Sequence, residues 1–365
     1  MNHDTLQPET TASETTQKQR SGANILKQIL KFCVFFAFGV FIIWLFQNNL
    51  SAEEKTEIGG SLRSARWIMV FWIAVFGLLS TVLRSLRWNL LIEPLGYKPR
   101  FINTFCSVSV AYFANLAVPR LGEVLRCTFL YRYEKVPVQK SLGTVLSERV
   151  IDMITFLLIF AASFFLEYKA LNAYVRGLFN RQAESGGHGG LWIGIAFIVL
   201  LAAGVWALLV YCKKNAARFK PGGFMAKIAN LVNGFSEGFT SLGHLKKPWL
   251  FVAYSIGLWL CYLLMMHYAF HSLQALSGSS LELALIALAM GTIGIMVTPG
   301  GIGVYPVIIS ETLSVFGVAK TIGYTAGWIA WGTQTALIIL AGLASLCILP
   351  LYNKSRKKAR KDAIA

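Results

Sequence analysis

The sequence predicts an all-α polytopic membrane protein, with about six full transmembrane helices and two re-entrant helical hairpins in an inverted-repeat arrangement. Three observations carry this. Of the 365 residues, 55% are hydrophobic and 14% charged, with mean hydropathy +0.57, whereas a soluble domain is nearer 25% charged. Apolar runs of the roughly 20 residues needed to cross a bilayer recur along the chain. Two pairs of shorter apolar runs are each broken by Pro and Gly, at residues 119–122 and 299–303.

Residues 1–24 form a polar segment, expected to be a disordered cytoplasmic tail. No cleavable signal peptide is evident, because the first apolar run begins only near Ile29. The transmembrane domain is expected over residues 25–352, and residues 353–365 as a basic cytoplasmic tail. Within the domain, 27–47 is the first span, 48–66 a polar loop and 67–88 the second span, with Arg84 and Arg87 near its exit. The runs 101–118 and 121–131 are each too short to cross comfortably and read as one re-entrant hairpin. Residues 141–168 make a long span, 171–190 a loop and 191–212 a clean span. The basic connection 213–247 contains a stretch, 224–242, with apolar residues near helical period, which suits an interfacial helix. Residues 248–273 form a span, 281–297 and 303–315 the second hairpin, 321–351 the last span, and 354–361 a basic tail. Trp67, Trp88, Trp192 and Trp249 at span ends read as interfacial anchors.

The formal net charge is +17. Its basic residues lie in loops beside apolar spans, which points to membrane orientation and anionic headgroups and not to nucleic acid. With the N-terminus inside, 26 of the 34 Lys and Arg fall on the inner side and 7 on the outer. That asymmetry favours both termini in the cytoplasm and a plasma (inner) membrane location. Span, hairpin, span then occurs twice, one hairpin entering from each side, as in inverted-repeat transporters with a midplane site. The six Cys lie in or at the ends of apolar segments without CxxC spacing and read as reduced packing residues. Gly323 and Gly327, four apart in the last span, suit helix packing. His267 and His271 have no Cys, Asp or Glu beside them and do not read as a metal site. No cofactor is expected.

Residues 115–152 are the most informative stretch. Arg120, Glu123, Arg126, Glu148, Arg149 and Asp152 lie there among apolar segments. An ionisable group at membrane depth costs about 2.5–3.5 kcal/mol on insertion scales, so such groups persist when paired, wetted or used. Gly122 suits a tight turn with room for a headgroup, and a half-helix starting near Leu121 would offer N–H groups to a phosphate. Arg120 or Arg126 could grip that phosphate as a fork, with Glu123 neutralising an Arg or receiving an amine. Glu148 and Asp152 share a helix face, and Arg149, three residues from Asp152, can lean toward it. The other reading is an ion network that pins the hairpin. At the second break, Pro299, Gly300, Gly301 and Gly303 are joined by the hydroxyls of Thr298 and Tyr305, and by Glu311, the acid downstream.

The motif P-R-L-G-E-V-L-R (residues 119–126), followed by S-E-R-V-I-D (147–152), resembles the signature of the lysylphosphatidylglycerol synthase transmembrane, or flippase-like, family. P-G-G-I-G (299–303) resembles its second signature. Where that family often has an acid about three residues after the last Gly, this chain has Pro306, and the nearest acid is Glu311. The resemblance covers roughly residues 25–352. It implies translocation of a lipid with a charged headgroup, by analogy with members that synthesise and flip lysyl-phosphatidylglycerol. The expected partners are membrane lipids, anionic or aminoacylated, and no nucleic acid, with room for a homo-oligomer or a partner synthase. The competing class is a membrane-embedded transferase that modifies lipid headgroups, or a scaffold for one. Against it, the chain shows no Walker motif, metal cluster or nucleophile–His arrangement, and no segment suited to a soluble donor-binding domain.

Overall fold

The computed structural model describes residues 41, 44–46, 48, 50–118, 120–166 and 245–362. Most of the first span, Pro119, the loop at 171–190, the span at 191–212 and the helix at 224–242 lie outside these residues. Among the described residues the chain is helix and turn, without strand.

Helix α1 spans Ala52–Arg63, where the sequence suggested a polar loop. The cause is local. Ser51 accepts from the Glu54 N–H at 3.1 Å and the Glu54 carboxylate accepts from the Ser51 N–H at 2.7 Å, a reciprocal capping box. α2 runs over Trp67–Ile92 and ends in a short turn closed by Gly96 at φ +88°. The first hairpin is α3, Phe101–Ala117, and α4, Leu121–Glu134. α5 follows at Val138–Leu166 and α6 at Pro248–His271. The second hairpin is α7, Leu281–Val297, and α8, Val304–Val315, joined through a 3-10 turn at Pro299–Gly301. α9, Lys320–Asp362, does not stop at the last apolar residue but carries the basic segment 354–361 as helix.

Among the described residues, three stretches are long and apolar enough to cross a membrane: Trp67–Leu95, Pro248–His271 and Lys320–Ser355. α5, at 29 residues, has the length, about 44 Å at 1.5 Å per residue, but carries Glu148, Arg149 and Asp152. The hairpin helices have 17, 14, 17 and 12 residues. At that rise none exceeds about 26 Å, short of a hydrocarbon core of about 30 Å.

The packing repeats itself. Both α2–α5 and α6–α9 read long, short, short, long. α2 lies along its counterpart α6, while the hairpins exchange partners: α3 packs on α9, and α7 on α5. The hairpin turns also meet, since a Cβ added to Gly300 would stand 2.9 Å from Leu116 at the end of α3. Glycines set these close approaches. A Cβ on Gly327 would come 2.6 Å from the Pro306 Cα, and one on Gly323 2.9 Å from the Ser310 Cα, so the spaced pair in α9 seats α8. Pro306, where the family that the motifs resemble often has an acid, is thus a packing residue here. The described cysteines Cys106, Cys127, Cys261 and Cys347 are free, the first three buried.

Candidate functional site

The charged residues of the central stretch sort into two groups. The buried group centres on Glu148, which is fully buried. Its Oε1 accepts from Arg84 Nη1 at 2.7 Å and Arg87 Nη2 at 3.0 Å, and its Oε2 from Arg126 Nη2 at 2.7 Å. Asp152, one turn on, accepts from the same two α2 arginines at 2.9 and 2.7 Å. Three guanidinium planes sit beside aromatic rings: Arg126 lies 4.5 Å from the Trp88 ring centroid, Arg84 5.7 Å from Tyr112 and Arg87 5.6 Å from Phe251. The second group is the pair Arg149–Glu123 at 2.6 Å, its arginine side chain half exposed.

Several expectations are corrected by this geometry. Arg149 pairs with Glu123 and not with Asp152, because it points from α5 toward α4 while Asp152 faces α2. Arg84 and Arg87, expected at a cytoplasmic exit, are buried in the network. Trp88 is not an interfacial anchor: it is fully buried, and its Nε1 donates to Thr144 at 2.9 Å. Trp67 and Trp249 are exposed, as anchors would be. Gly122 makes no turn. It lies inside α4, where a Cβ would overlap the Ala111 carbonyl of α3, and its N–H donates to Asn115 Oδ1 at 2.8 Å. The turn is made by Arg120 itself, in the left-handed region at φ +67°, a conformation that for a non-glycine residue is often held at functional sites. Arg126 is committed to Glu148. Glu311 is exposed, paired with Lys320 at 2.6 Å, and does not line the cavity.

Beside the network lies a cavity of about 1130 Å³, larger than the roughly 300–1,000 Å³ of ordinary small-molecule sites. Both hairpin turns line it, through Asn115, Leu116 and Arg120 on one side and Thr298, Gly300 and Tyr305 on the other. Its polar lining includes Arg84, Arg149, Asp152, Tyr112, Tyr262 and Gln334. Its apolar lining includes Phe156, Trp259, Leu288 and Met266, and reaches Val124, Met153, Ile295 and Met296, which are exposed. Gly300 is held in place by Trp331, whose Nε1 donates to its carbonyl at 2.6 Å. Gly300, Gly301 and Gly303 all have positive φ, from +64° to +75°, which a residue with a Cβ adopts poorly. Of the sequence candidates, Arg120, Arg149, Asp152 and Gly300 therefore reach the cavity, while Arg126 and Glu148 brace it from behind.

Sequence reasoning missed Arg84 and Arg87. The signal was present: they are the sole charges in the 26 residues of α2, three apart on one face, and an arginine at membrane depth is as costly as a carboxylate there.

Fold and site together define a helical multi-pass membrane protein with a charged cavity inside its helix bundle. The chain belongs to the family described as the lysylphosphatidylglycerol synthase TM region, whose model matches residues 28–342. It is similar to the UPF0104 membrane protein MJ1595 of Methanocaldococcus jannaschii, at 35% identity over 86 residues. That match covers 23% of this chain and spans about a quarter, 26%, of the relative. No solved structure matches.

Proposed function

We infer that the protein translocates a lipid with a charged headgroup, the headgroup passing through the cavity while the acyl chains stay in the bilayer. The observation that carries this is the cavity itself: its lining combines charged residues with buried apolar residues and with exposed apolar ones. An amphiphile matches that mixed lining. The exchange of hairpins between two similar halves supports an inverted repeat, with α3/α4 and α7/α8 as re-entrant hairpins whose turns meet near the midplane. Rocking of one half against the other would then open the cavity alternately to each leaflet. The arginines Arg120 and Arg149 are placed to meet the headgroup, and the Glu148 network to hold α2, α4 and α5 in register around it.

The test is a headgroup-accessibility assay on fluorescent lipids in vesicles reconstituted with the purified protein, run beside an assay for headgroup transfer. Translocation faster than in protein-free vesicles is expected, without transfer. Equal rates would overturn the reading, and transfer would favour the membrane-embedded transferase.

The reading also places both termini in the cytoplasm, in the plasma membrane. Its support is the Lys/Arg asymmetry, which keeps its sign when the buried Arg84, Arg87 and Arg126 are left out. A Cys introduced at Ser355 in a Cys-free variant should be shielded from an impermeant thiol reagent in intact cells and labelled after permeabilisation. Labelling in intact cells would reverse the topology.

A further inference from the structure

The charges around the cavity do not balance. The buried network joins Arg84, Arg87 and Arg126 to Glu148 and Asp152, three cations against two anions. The Nε of each of these arginines has no partner among the described residues. Arg84, with its side chain 8% exposed, is the member that also faces the cavity along with Asp152. At the turn of the first hairpin, Arg120 lines the same space and has no ion pair among the described residues. Arg149 lines it too, its charge met by Glu123. The lining therefore presents an excess of positive charge, and for the buried Arg84, Arg87 and Arg126 an unbalanced charge is strongly unfavourable.

A free anionic group to balance an ammonium is missing from that lining among the described residues. Asp152 is its one carboxylate among the described residues, and both of its oxygens are taken by Arg84 and Arg87. Glu123 has one buried oxygen without a partner, yet it is not part of the lining, and its other oxygen holds Arg149. An entering ammonium would meet arginines and no free carboxylate.

We propose that the cavity selects lipids whose headgroup is an anionic phosphate ester without a balancing amine, and disfavours zwitterionic and aminoacylated headgroups. This rests on the reading of the cavity as a lipid site. Arg120 supplies the forked donor that a phosphate takes, while Arg84, its Nη1 held by Glu148 and Asp152 and its Nη2 by Tyr262, adds positive charge that the phosphate offsets. Selectivity against amines comes from like-charge repulsion as much as from attraction to the phosphate.

The test measures binding and not transport. Purified protein in phosphatidylcholine nanodiscs is doped in turn with phosphatidylglycerol, phosphatidylethanolamine or lysyl-phosphatidylglycerol, and retained lipid is counted by native mass spectrometry. A separate arm adds inorganic phosphate alone and follows the thermal midpoint. Phosphatidylglycerol should be retained about tenfold over either amine lipid, the ratio expected from one interaction of about 1.4 kcal/mol. Arg120→Gln, at an exposed turn, should fold normally and lose most of that preference. Gln334→Glu places a carboxylate where the Gln334 Oε1 is buried without a partner, and should shift retention toward lysyl-phosphatidylglycerol. Equal retention of the three lipids, or preference for an amine lipid by the unmodified protein, overturns the proposal. So does stabilisation by inorganic phosphate equal to that by phosphatidylglycerol, which would make the ligand a free anion. Selective retention of phosphatidylglycerol without translocation would leave this assignment standing and sink the transport reading. Preferential transport of lysyl-phosphatidylglycerol would do the reverse.

Discussion

Glu148→Ala should abolish the folded protein or lower its thermal midpoint more than any other single change in the cluster. Glu148 is fully buried and receives hydrogen bonds from three arginines on two helices, α2 and α4. Its removal leaves Arg84, Arg87 and Arg126 facing Asp152 alone, a buried charge of +2 where the intact cluster carries +1. Breaking a buried ion pair from one side typically costs about 3–5 kcal/mol, because the stranded charge stays desolvated. Removing Arg126 together with Glu148 restores the original net charge, so the double variant should be more stable than the two single losses added together predict. The coupling should be about 0.5–3 kcal/mol, the range for residues in one network. The same cycle with Arg149 should show much weaker coupling, since Arg149 pairs with Glu123. Detergent chromatography and thermal midpoints of all variants decide it. Additive losses for Glu148 with Arg126 would show that the network does not hold the helices, and that the cavity wall is organised by packing alone.

Gly122→Ala should be nearly as damaging, for a steric reason. The α3/α4 hairpin closes so tightly that a methyl group there would enter the Ala111 carbonyl, a backbone atom that cannot rotate away. Overpacking usually costs about 1–3 kcal/mol, and here relief requires the two helices to part. Parting would also stretch the Gly122 N–H bond to Asn115 and shift Arg120 from the cavity edge. Folded yield and lipid translocation should therefore fall together. Gly143→Ala is the matched control on α5, with no atom within 4 Å of the added carbon. It should be neutral or stabilising by up to about 1 kcal/mol, from helix propensity alone. A Gly122→Ala protein that melts with the wild type would mean that the helices approach less closely than described.

Much of the architecture was legible because its signals are local. Pro and Gly interrupt the apolar runs, and the helices end there: α7 occupies 281–297 as expected, and α4 begins at Leu121. A serine followed three residues on by a glutamate caps α1, a signal that was present and overlooked. The small-residue spacing in α9 foretold a close helix contact, though not that Pro306 would fill it. Each of these depends on groups within a turn or two along the chain.

Composition and the length of the apolar runs are enough to mark a helical membrane protein, Pro and Gly to mark where two pairs of short helices are broken, and the charges stand out among apolar segments. Which charge meets which depends on the packing of whole helices. Arg84 and Arg87 reach Glu148 and Asp152 across 61 to 68 residues, and no periodicity records such a separation. The charge of a guanidinium acts in all directions, so its partner is whichever carboxylate the packing of whole helices brings within about 3 Å. That packing places Arg149 on Glu123, sends Glu311 to Lys320, buries Trp88 under Arg126 and leaves Arg120 facing the cavity. Local rules choose where helices begin and end, whereas burial of their apolar faces against one another, over long loops, chooses which side chains share the interior.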